Sequence, residues 1–376
     1  MITVCFVLFV GGISAAGFIA KDREFSPNEN RYLSDPPKFS WENVLEGRFQ
    51  KGLEEYLKDH IFGRDQWITV KTAVQKAAGN TDIGGAYVGK DGYDFEKITK
   101  EDVDDALVEQ NTRAVVSFFD RASEKIAADR ISFLLIPTSG LVMADKLPKN
   151  ARLFDQSAYL DRILDAVRDY NAVDVRAALA AHADEYIYYR TDHHWTTDGA
   201  FIAWQEWSRS VGMPYTDKSE LEKNVLADDF RGSLYSKILD AGSACDSIWT
   251  YGPVGEGLSF VSGYKVTVDG KKPGMIYDVD KLDEKDKYAF FFGGNYGQVH
   301  IEAGGKNGRK LLVIKDSFAN AFVPLALEQF DDIYMVDLRY YKGDMQSYLA
   351  EHDITDILVL YNISNFISDK NLYKLQ

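Results

Sequence analysis

Residues 310–322 read KLLVIKDSFANAF, and this stretch decides the fold class. Its opening, KLLVI, is an apolar run typical of a strand that is covered on both faces. A helical pattern follows, so the chain is predicted to turn from strand to helix at Asp316 and Ser317. A buried strand that leads directly into a helix is the repeating unit of an α/β sheet.

The same alternation recurs on both sides of this stretch. Five apolar runs are predicted to be buried strands: ISFLLIP (131–137), EYIYYR (185–190), KLLVI (310–314), DIYMVDL (332–338) and DILVLY (356–361). Helical periodicity covers residues 103–128, 157–170, 198–211, 318–330 and 344–351. The predicted fold is therefore α/β, with a parallel five-stranded sheet.

The remaining sequence divides the chain into further regions. Residues 21–95 are predicted to form a stalk or collar, with a proline-bearing start, helical patterns around 44–57 and 67–78, and a hairpin at Tyr87–Tyr93. Residues 96–376 are predicted to form the catalytic domain. Within it, residues of about 212–309 are rich in turns and are predicted to be an insertion or cap over the sheet edge.

The first twenty residues are predicted to anchor the chain in a membrane. Residues 2–20 carry no charge, and at 1.5 Å per residue they just cross a hydrocarbon core of about 30 Å. We therefore expect a single-pass cell-membrane protein with an extracytoplasmic catalytic domain. A cleaved signal peptide and a buried helix of a soluble domain are the alternatives.

Composition excludes several other classes. The formal net charge is −15, without any run rich in Lys or Arg, which argues against a nucleic-acid partner and predicts repulsion of strongly anionic polymers. The two cysteines, Cys5 and Cys245, lie far apart in different settings, so neither a disulfide framework nor a structural zinc site is expected. We predict no cofactor.

Reactive side chains follow the ends of the predicted strands, where open α/β sheets gather their sites. Asp192 and His194 lie in TDHHWTTDGA (191–200), at a spacing that lets the carboxylate hold the imidazole in one tautomer. Ser317 lies beside a predicted helix N-terminus, whose amides can stabilise an oxyanion. The three residues are predicted to form a triad of nucleophile, base and carboxylate. Ser317 as a plain helix cap is the alternative.

Further residues are predicted to surround this triad. Asn362 follows the last predicted strand and is the candidate second oxyanion donor. Trp195 is expected in the pocket wall. Arg339 is a candidate substrate contact or a partner of a surface acid, and Asn295, in a glycine-rich turn, could reach the site. Tyr340 and Tyr341 could form a sugar platform or belong to the core.

The sequence resembles the DHHW family, which is named for the run Asp192-His193-His194-Trp195 and is similar to alginate O-acetyltransferases. The resemblance implies a circularly permuted, SGNH-hydrolase-like (flavodoxin-like) fold, in which an Asp-x-His-Trp block precedes the serine. Ser317 in Lys-Asp-Ser-Phe matches the usual Gly-Asp-Ser, with Lys315 in place of glycine. The stretches FSPNENRYL, DHIFGRDQW and VGKDGY are similar to segments that precede the fold in this family.

The resemblance also implies a function. Such a protein moves acetyl groups onto hydroxyls of an exopolysaccharide or cell-wall polymer through a serine acyl-enzyme, and a membrane-bound O-acyltransferase supplies the acetyl group. The same triad would give an esterase if water accepted the acyl group. A non-catalytic glycan-binding scaffold is a third hypothesis. Metal binding by the Asp-His-His run is an alternative for the site, although we predict no metal.

Overall fold

The computed structural model describes residues 1–19, 23–26, 28 and 31–376. Ala20, which ends the predicted anchor, lies outside these residues, as do Lys21 and Asp22 and three residues of FSPNENRYL. The helices are α1 (Ile2–Ile19), α2 (Trp41–Leu45), α3 (Arg48–His60), α4 (Arg64–Ala77), α5 (Asp105–Ala122), α6 (Ser139–Val142), α7 (Gln156–Ala166), α8 (Arg176–Ala180), α9 (Thr197–Ser210), α10 (Ser233–Ile238), α11 (Ala319–Phe322), α12 (Met345–Glu351) and α13 (Ile363–Phe366).

Strands form four sheets within the described residues. They are β1 (Phe25–Ser26), β2 (Arg31–Tyr32), β3 (Asp82–Ile83), β4 (Ala86–Val88), β5 (Asp94–Glu96), β6 (Ile131–Ile136), β7 (Asn171–Val173), β8 (Leu221–Phe230), β9 (Asp246–Pro253), β10 (Lys265–Val268), β11 (Lys272–Gly274), β12 (Gln298–Glu302), β13 (Lys310–Lys315), β14 (Asp332–Val336) and β15 (Asp356–Asn362).

The N-terminal helix corrects the prediction of a membrane anchor. None of the helices in the described residues combines the length and the apolar character that a membrane crossing needs. The predicted single-pass anchor over residues 1–20, on which the extracytoplasmic location depended, is therefore wrong.

The central sheet is mixed and has eight strands in the order β11-β10-β12-β14-β13-β15-β6-β7. The last five of these pair in parallel, and β12, β10 and β11 extend the sheet by antiparallel pairing. The fold is thus mixed α/β, as predicted. The predicted five-stranded sheet corresponds only to the parallel part.

Both faces of the parallel strands are covered, which explains their continuous apolar sequences. On β13, Leu311 and Val313 belong to one hydrophobic core, whereas Leu312 and Ile314 belong to the core on the opposite face. All four side chains are at most 1% exposed. Helix α9 packs in the first core, and α5 and α7 pack in the second.

One predicted strand is not part of the sheet. Residues 185–190 form no strand, and the fifth parallel strand is the short β7 instead. Tyr188 makes only an isolated bridge to Trp195. Tyr188 and Tyr189 are buried because the chain folds back on residues 194–196, so the apolar character of this segment reports burial and not sheet pairing.

The hairpin forms as predicted, whereas one predicted helix is not a continuous α-helix. Strands β4 and β5 pair antiparallel, and Asp91 and Gly92 between them have positive φ values, as the hairpin prediction required. The helix predicted over 318–330 is only the four-residue α11, followed by a 3-10 helix at Val323–Gln329. Pro324 lies at the start of that second segment and lacks the amide that would continue an α-helix.

The region predicted to be an insertion has two structural parts. Strands β8 and β9 form a separate antiparallel pair, with α10 between them in the chain. Strands β10, β11 and β12 instead join the central sheet. Residues 212–309 are therefore more than a cap, because they also supply the three strands that extend the central sheet by antiparallel pairing.

Candidate active site

The candidate nucleophile lies on the turn after β13. Asp316 fixes this turn: its Oδ1 accepts from the amide of Phe318 at 2.9 Å, and its Oδ2 accepts from the amide of Asn362 at 2.7 Å and from Asn365 Nδ2 at 2.8 Å. Burial raises the pKa of Asp316, and these three hydrogen bonds oppose that rise. The side chain preceding Ser317 thus ties the turn to the end of the neighbouring strand.

The histidine-bearing segment is a tight fold-back of the chain. The amide of Tyr189 donates to the carbonyl of His194 at 3.2 Å, and the amide of Thr196 donates to that of Ile187 at 2.9 Å. The buried carboxylate of Asp246 closes the other side of the loop, because it accepts from the amides of Arg190 and Thr191, each at 2.8 Å. The backbone around the Asp-His-His-Trp run is therefore held at both ends.

The structure brings Ser317, His194 and Asp192 together in a continuous hydrogen-bonded relay. His194 Nε2 lies 2.6 Å from Ser317 Oγ, and His194 Nδ1 lies 2.6 Å from Asp192 Oδ1. Asp192 Oδ1 also accepts from the amide of His194 at 3.0 Å, and its Oδ2 accepts from the amide of Ser233 at 2.7 Å. This is the arrangement in which a serine can lose its proton to an imidazole.

Burial and charge set the protonation states of this relay. The three side chains of the relay are at most 8% exposed. Burial lowers the pKa of His194, and His193 lowers it further, against the opposing effect of Asp192. Burial alone would raise the pKa of Asp192, but His193 and His194 together with the hydrogen bonds to the carboxylate hold it well below its ordinary value. Near neutral pH the pair is therefore a carboxylate beside a neutral imidazole.

Aromatic rings hold the imidazole in place. Tyr288 stacks on His194 with ring centroids 3.9 Å apart, and its hydroxyl donates to the carbonyl of Ser317 at 3.0 Å. Trp195 is fully buried, and its Nε1 donates to the carbonyl of Phe318 at 3.0 Å. Trp195 therefore supports the nucleophile turn from within the core. It does not line the cleft, which corrects the prediction that it forms the pocket wall.

Ser317 and His194 open onto a cleft with a volume of about 520 Å³. Arg339 and Asn295 both line it. Arg339 is also committed to an ion pair, because its Nε and Nη2 contact the fully buried Asp337 at 2.9 and 2.6 Å. Of the two tyrosines that follow Arg339, Tyr340 is 53% exposed, whereas Tyr341 packs against the second core.

Asn362 does not reach the cleft, which corrects its prediction as an oxyanion donor. Its side chain is fully buried, and its Oδ1 caps α13 by accepting from the amide of Ser364 at 2.9 Å. Its Nδ2 donates to the carbonyl of Pro137 at 3.3 Å. An Asn at a strand end that leads straight into a helix is drawn to the capping role.

Asn320 lines the cleft in its place, one helical turn after Ser317. The buried ammonium of Lys315 donates to Asn320 Oδ1 at 2.6 Å and to Asn295 Oδ1 at 3.0 Å. Because an ammonium can only donate, the Oδ1 atom of Asn320 must face Lys315, and the Nδ2 atom must face away from it. Asn320 Nδ2 then donates one hydrogen bond to Asn295 Oδ1 at 3.2 Å, and its second N–H bond is not used within this network. Burial lowers the pKa of Lys315 to about 8.

Other cleft residues were missed by sequence reasoning because they come from the region 212–309. Ser233 donates its amide to Asp192, and its hydroxyl lies 2.7 Å from His193 Nδ1. Gly232 is required beside it: a Cβ there would lie 2.3 Å from Cβ of Asp192. Arg231, Lys237 and Lys285 also line the cleft. The sequence signal for the cleft residues of this region was the run Arg231-Gly232-Ser233 in a turn-rich segment.

Asp192, His193 and His194 are the one group among the described residues with enough neighbouring ligand atoms for a metal ion. Their atoms are already engaged, however. Both ring nitrogens of His194 contact relay partners, and His193 Nδ1 contacts Ser233 Oγ. A metal ion would have to break the relay to bind, so the geometry fits proton transfer better than metal coordination.

Comparison with known proteins gives a consistent family and fold. The model of the DHHW protein family matches residues 133–336. A DHHW family protein from Eubacterium siraeum is 25% identical, covers 78% of this chain and 95% of its own, and superimposes with a TM-score of 0.62. PatB1 from Bacillus cereus is 21% identical, with 76% and 98% coverage and the same TM-score of 0.62.

A third solved structure is more distant. The O-acetyltransferase domain of Pseudomonas putida AlgJ is 16% identical, covers 76% of this chain and 93% of its own, and has a TM-score of 0.46. The sequence matches none of the curated proteins. The family model extends from β6 to β14 and contains both the Asp-His-His-Trp run and Ser317. Because that match covers more than half of the residues, the chain belongs to the DHHW family.

Proposed function

We propose that the chain is a serine-type O-acyltransferase that moves acetyl groups onto hydroxyls of a polysaccharide. One observation carries the proposal: Ser317, His194 and Asp192 form a relay with two contacts of 2.6 Å at the edge of a cleft. This geometry suits covalent catalysis through a serine ester, in which one hydroxyl first takes the acyl group and then passes it on.

In the first half-reaction Ser317 Oγ attacks the carbonyl carbon of the acetyl donor. His194 Nε2 takes the hydroxyl proton, and the C=O electron pair moves onto oxygen to give a tetrahedral intermediate. Asp192 stabilises the imidazolium through Nδ1. When the intermediate collapses, the bond to the leaving group breaks, and the leaving group takes the proton from His194. The product is an acetyl ester on Ser317.

The negative charge on the intermediate needs a preorganised donor. Asn320 takes this role in the proposal, because Lys315 fixes its amide and one N–H bond is not used within the Lys315-Asn320-Asn295 network. Arg339, whose charge acts on His194, adds a positive potential on the same side. Asn320 thus replaces the predicted Asn362.

In the second half-reaction a sugar hydroxyl gives its proton to His194 and attacks the acetyl carbon, and Ser317 recovers its proton as the ester bond breaks. An exopolysaccharide or cell-wall polymer as acceptor, and a membrane-bound O-acyltransferase as acetyl supplier, follow from the resemblance to alginate O-acetyltransferases and remain predictions. We also propose that the fold is a circularly permuted SGNH-hydrolase-like one, since the Asp192-His194 segment precedes Ser317 in the chain while five parallel strands form one side of the central sheet.

The decisive experiment is mass spectrometry of the protein after brief exposure to p-nitrophenyl acetate. The proposal expects one acetyl group on the peptide that carries Ser317, and none in Ser317→Ala. Addition of an oligosaccharide should then remove the group and produce acetylated sugar. Release of acetate alone, at the same rate with and without sugar, would establish the esterase alternative. An unmodified Ser317, with turnover unchanged in Ser317→Ala, would favour the non-catalytic scaffold.

A further inference from the structure

Three cationic side chains line the cleft that contains Ser317. Arg231 and Lys237 come from the segment around α10, and Lys285 comes from the segment before Tyr288. The guanidinium of Arg231 and the ammonium of Lys285 each lie 4.9 Å from the ring centroid of Tyr235, so one aromatic face positions both charges. We refer to Arg231, Lys237 and Lys285 as the cation group.

The cation group makes no direct ion pair with a carboxylate in the part of the chain that the structure describes. Lys285 donates only to the carbonyl of Arg231, and Arg231 donates to the hydroxyl of Tyr235 at 3.3 Å. Nε of Arg231 is buried and has no hydrogen-bond partner. An unpaired buried donor costs free energy unless a ligand satisfies it.

The absence of ion pairs in the cation group is informative because the chain as a whole is acidic. The chain has 58 acidic residues against 43 Lys and Arg, and cations next to the cleft do find partners. Lys287, two positions after Lys285, pairs with Asp229 at 3.2 Å, and Arg339 in the same cleft pairs with Asp337. Two carboxylates also line the cleft: Asp192, which is hydrogen-bonded to His194 and Ser233, and Asp286. Burial lowers the pKa of Lys285, and the charges of both carboxylates oppose that effect. The lining of the cleft therefore holds four cationic side chains against two carboxylates, on a protein that is acidic as a whole.

We propose that the acyl acceptor carries a carboxylate or phosphate group, which the cation group binds so that a neighbouring hydroxyl faces the acetylated Ser317. This proposal rests on the acyltransferase function proposed above and names its acceptor class. Guanidinium and ammonium groups bind both anions by charge-assisted hydrogen bonds, and a cleft focuses such a field toward one ligand. The repulsion of anionic polymers expected from the net charge thus does not apply at the cleft.

The test uses the full chain, p-nitrophenyl acetate as donor and three matched acceptors. These are an oligosaccharide of uronic acid, the same oligosaccharide with its carboxyl groups reduced to alcohols, and a neutral oligosaccharide that carries a phosphate ester. We expect kcat/KM for at least one charged acceptor to exceed that for the reduced acceptor by at least about tenfold. The charged acceptor with the higher kcat/KM identifies the bound anion as a carboxylate or a phosphate. Equal kcat/KM for all three acceptors would overturn the proposal.

Variants locate the effect in the cation group. Lys237→Gln, at an exposed position where folding is not at risk, and Arg231→Gln should each lower the ratio of charged to reduced acceptor toward one. Lys287→Gln, whose charge is paired outside the cleft, is the matched control and should keep the ratio. A ratio that stays unchanged in Lys237→Gln and Arg231→Gln would assign the preference elsewhere and refute the proposal. The acetyl adduct on Ser317, measured without acceptor, reports separately whether the acyltransferase proposal itself holds.

Discussion

Nε2 of His194 and Oγ of Ser317 lie 2.6 Å apart, although the two residues are 123 positions apart in the chain. The contact exists because the fold-back at residues 187–196 and the turn after β13 meet at one edge of the sheet. Tyr288 joins both sides, since it stacks on His194 and donates to the carbonyl of Ser317.

Asp192→Asn should nearly abolish turnover without unfolding the protein. The amide keeps the size of the side chain but loses its charge, and it can offer N–H groups to His194 Nδ1, which favours the wrong tautomer. We expect kcat for p-nitrophenyl acetate to fall by about 10⁴-fold with little change in KM. Circular dichroism of the variant serves as the folding control. A kcat within about tenfold of the unmodified chain would contradict the role of Asp192 in the relay.

The pH dependence of turnover should show an acid limb at unusually low pH. Burial, reinforced by His193, lowers the pKa of His194 below its ordinary value of 6.5. A lowered pKa keeps the imidazole neutral and able to accept a proton until the pH falls through that pKa, so activity is present above it and lost below it. We expect kcat/KM to be flat from about pH 6.5 to 8 and half-maximal below pH 6.5. A half-maximal point above pH 6.5 would show that Asp192 outweighs burial.

Gly232→Ala should lower turnover by displacing Asp192, although Gly232 itself is not part of the relay. The added Cβ would lie 2.3 Å from Cβ and 2.4 Å from Oδ2 of Asp192, which is closer than nonbonded atoms can approach. Either Asp192 or the backbone at Ser233 must move, so we expect kcat to fall by at least about 10²-fold, as small displacements of catalytic groups do. Gly263→Ala is the control, because a Cβ there meets nothing within 4 Å. Equal kcat for the two variants would count against the prediction.

Asp246→Ala should lower the free energy of unfolding. The substitution leaves the amides of Arg190 and Thr191 and the hydroxyl of Thr191 without their buried acceptor. Unpaired buried donors make this loss about 2–5 kcal/mol, which urea unfolding followed by tryptophan fluorescence can measure. Asp217→Ala, which removes the cap of an exposed turn, is the comparison. A loss no greater than that of Asp217→Ala would mean that other contacts hold the loop.

Metal removal should leave turnover unchanged. The Asp192-His193-His194 group has the spacing of a metal site, but both nitrogens of His194 are needed for the relay. We therefore expect dialysis against EDTA to preserve kcat/KM, and added Zn²⁺ to inhibit by competing for the imidazole. Inactivation by EDTA that Zn²⁺ reverses would return the metal alternative to first place.

Apolar runs and helical periodicity in the sequence were enough to predict four of the five parallel strands and the longer helices. Continuous apolar runs such as KLLVI indicate strands that are covered on both faces, and the side chains of Leu311 to Ile314 do alternate between two cores. The relay could be predicted because its members follow strand ends or lie in a recognisable motif. Whether these residues act in catalysis stays a prediction.

Other features depend on tertiary contacts that the sequence pattern does not contain. EYIYYR is as apolar as a strand, yet its backbone pairs with residues 194–196. Asn362 stands at a strand end, but the helix that starts at the next residue recruits it as a cap. The cation group lies in turn-rich segments without periodicity, and only the docking of these segments over the sheet edge brings it to Ser317.

Ser233 donates its amide to Asp192 from a segment that lies between β8 and β9, outside the parallel sheet. The acid that orients the base is therefore completed by the same stretch of chain that carries Arg231 and Lys237. Under the two proposals above, acceptor selectivity and catalysis therefore depend on the same stretch of chain. Anyone grafting this stretch between homologues to alter substrate choice would need to transplant Gly232 and Ser233 unchanged, or the hybrid would lose turnover together with its old preference.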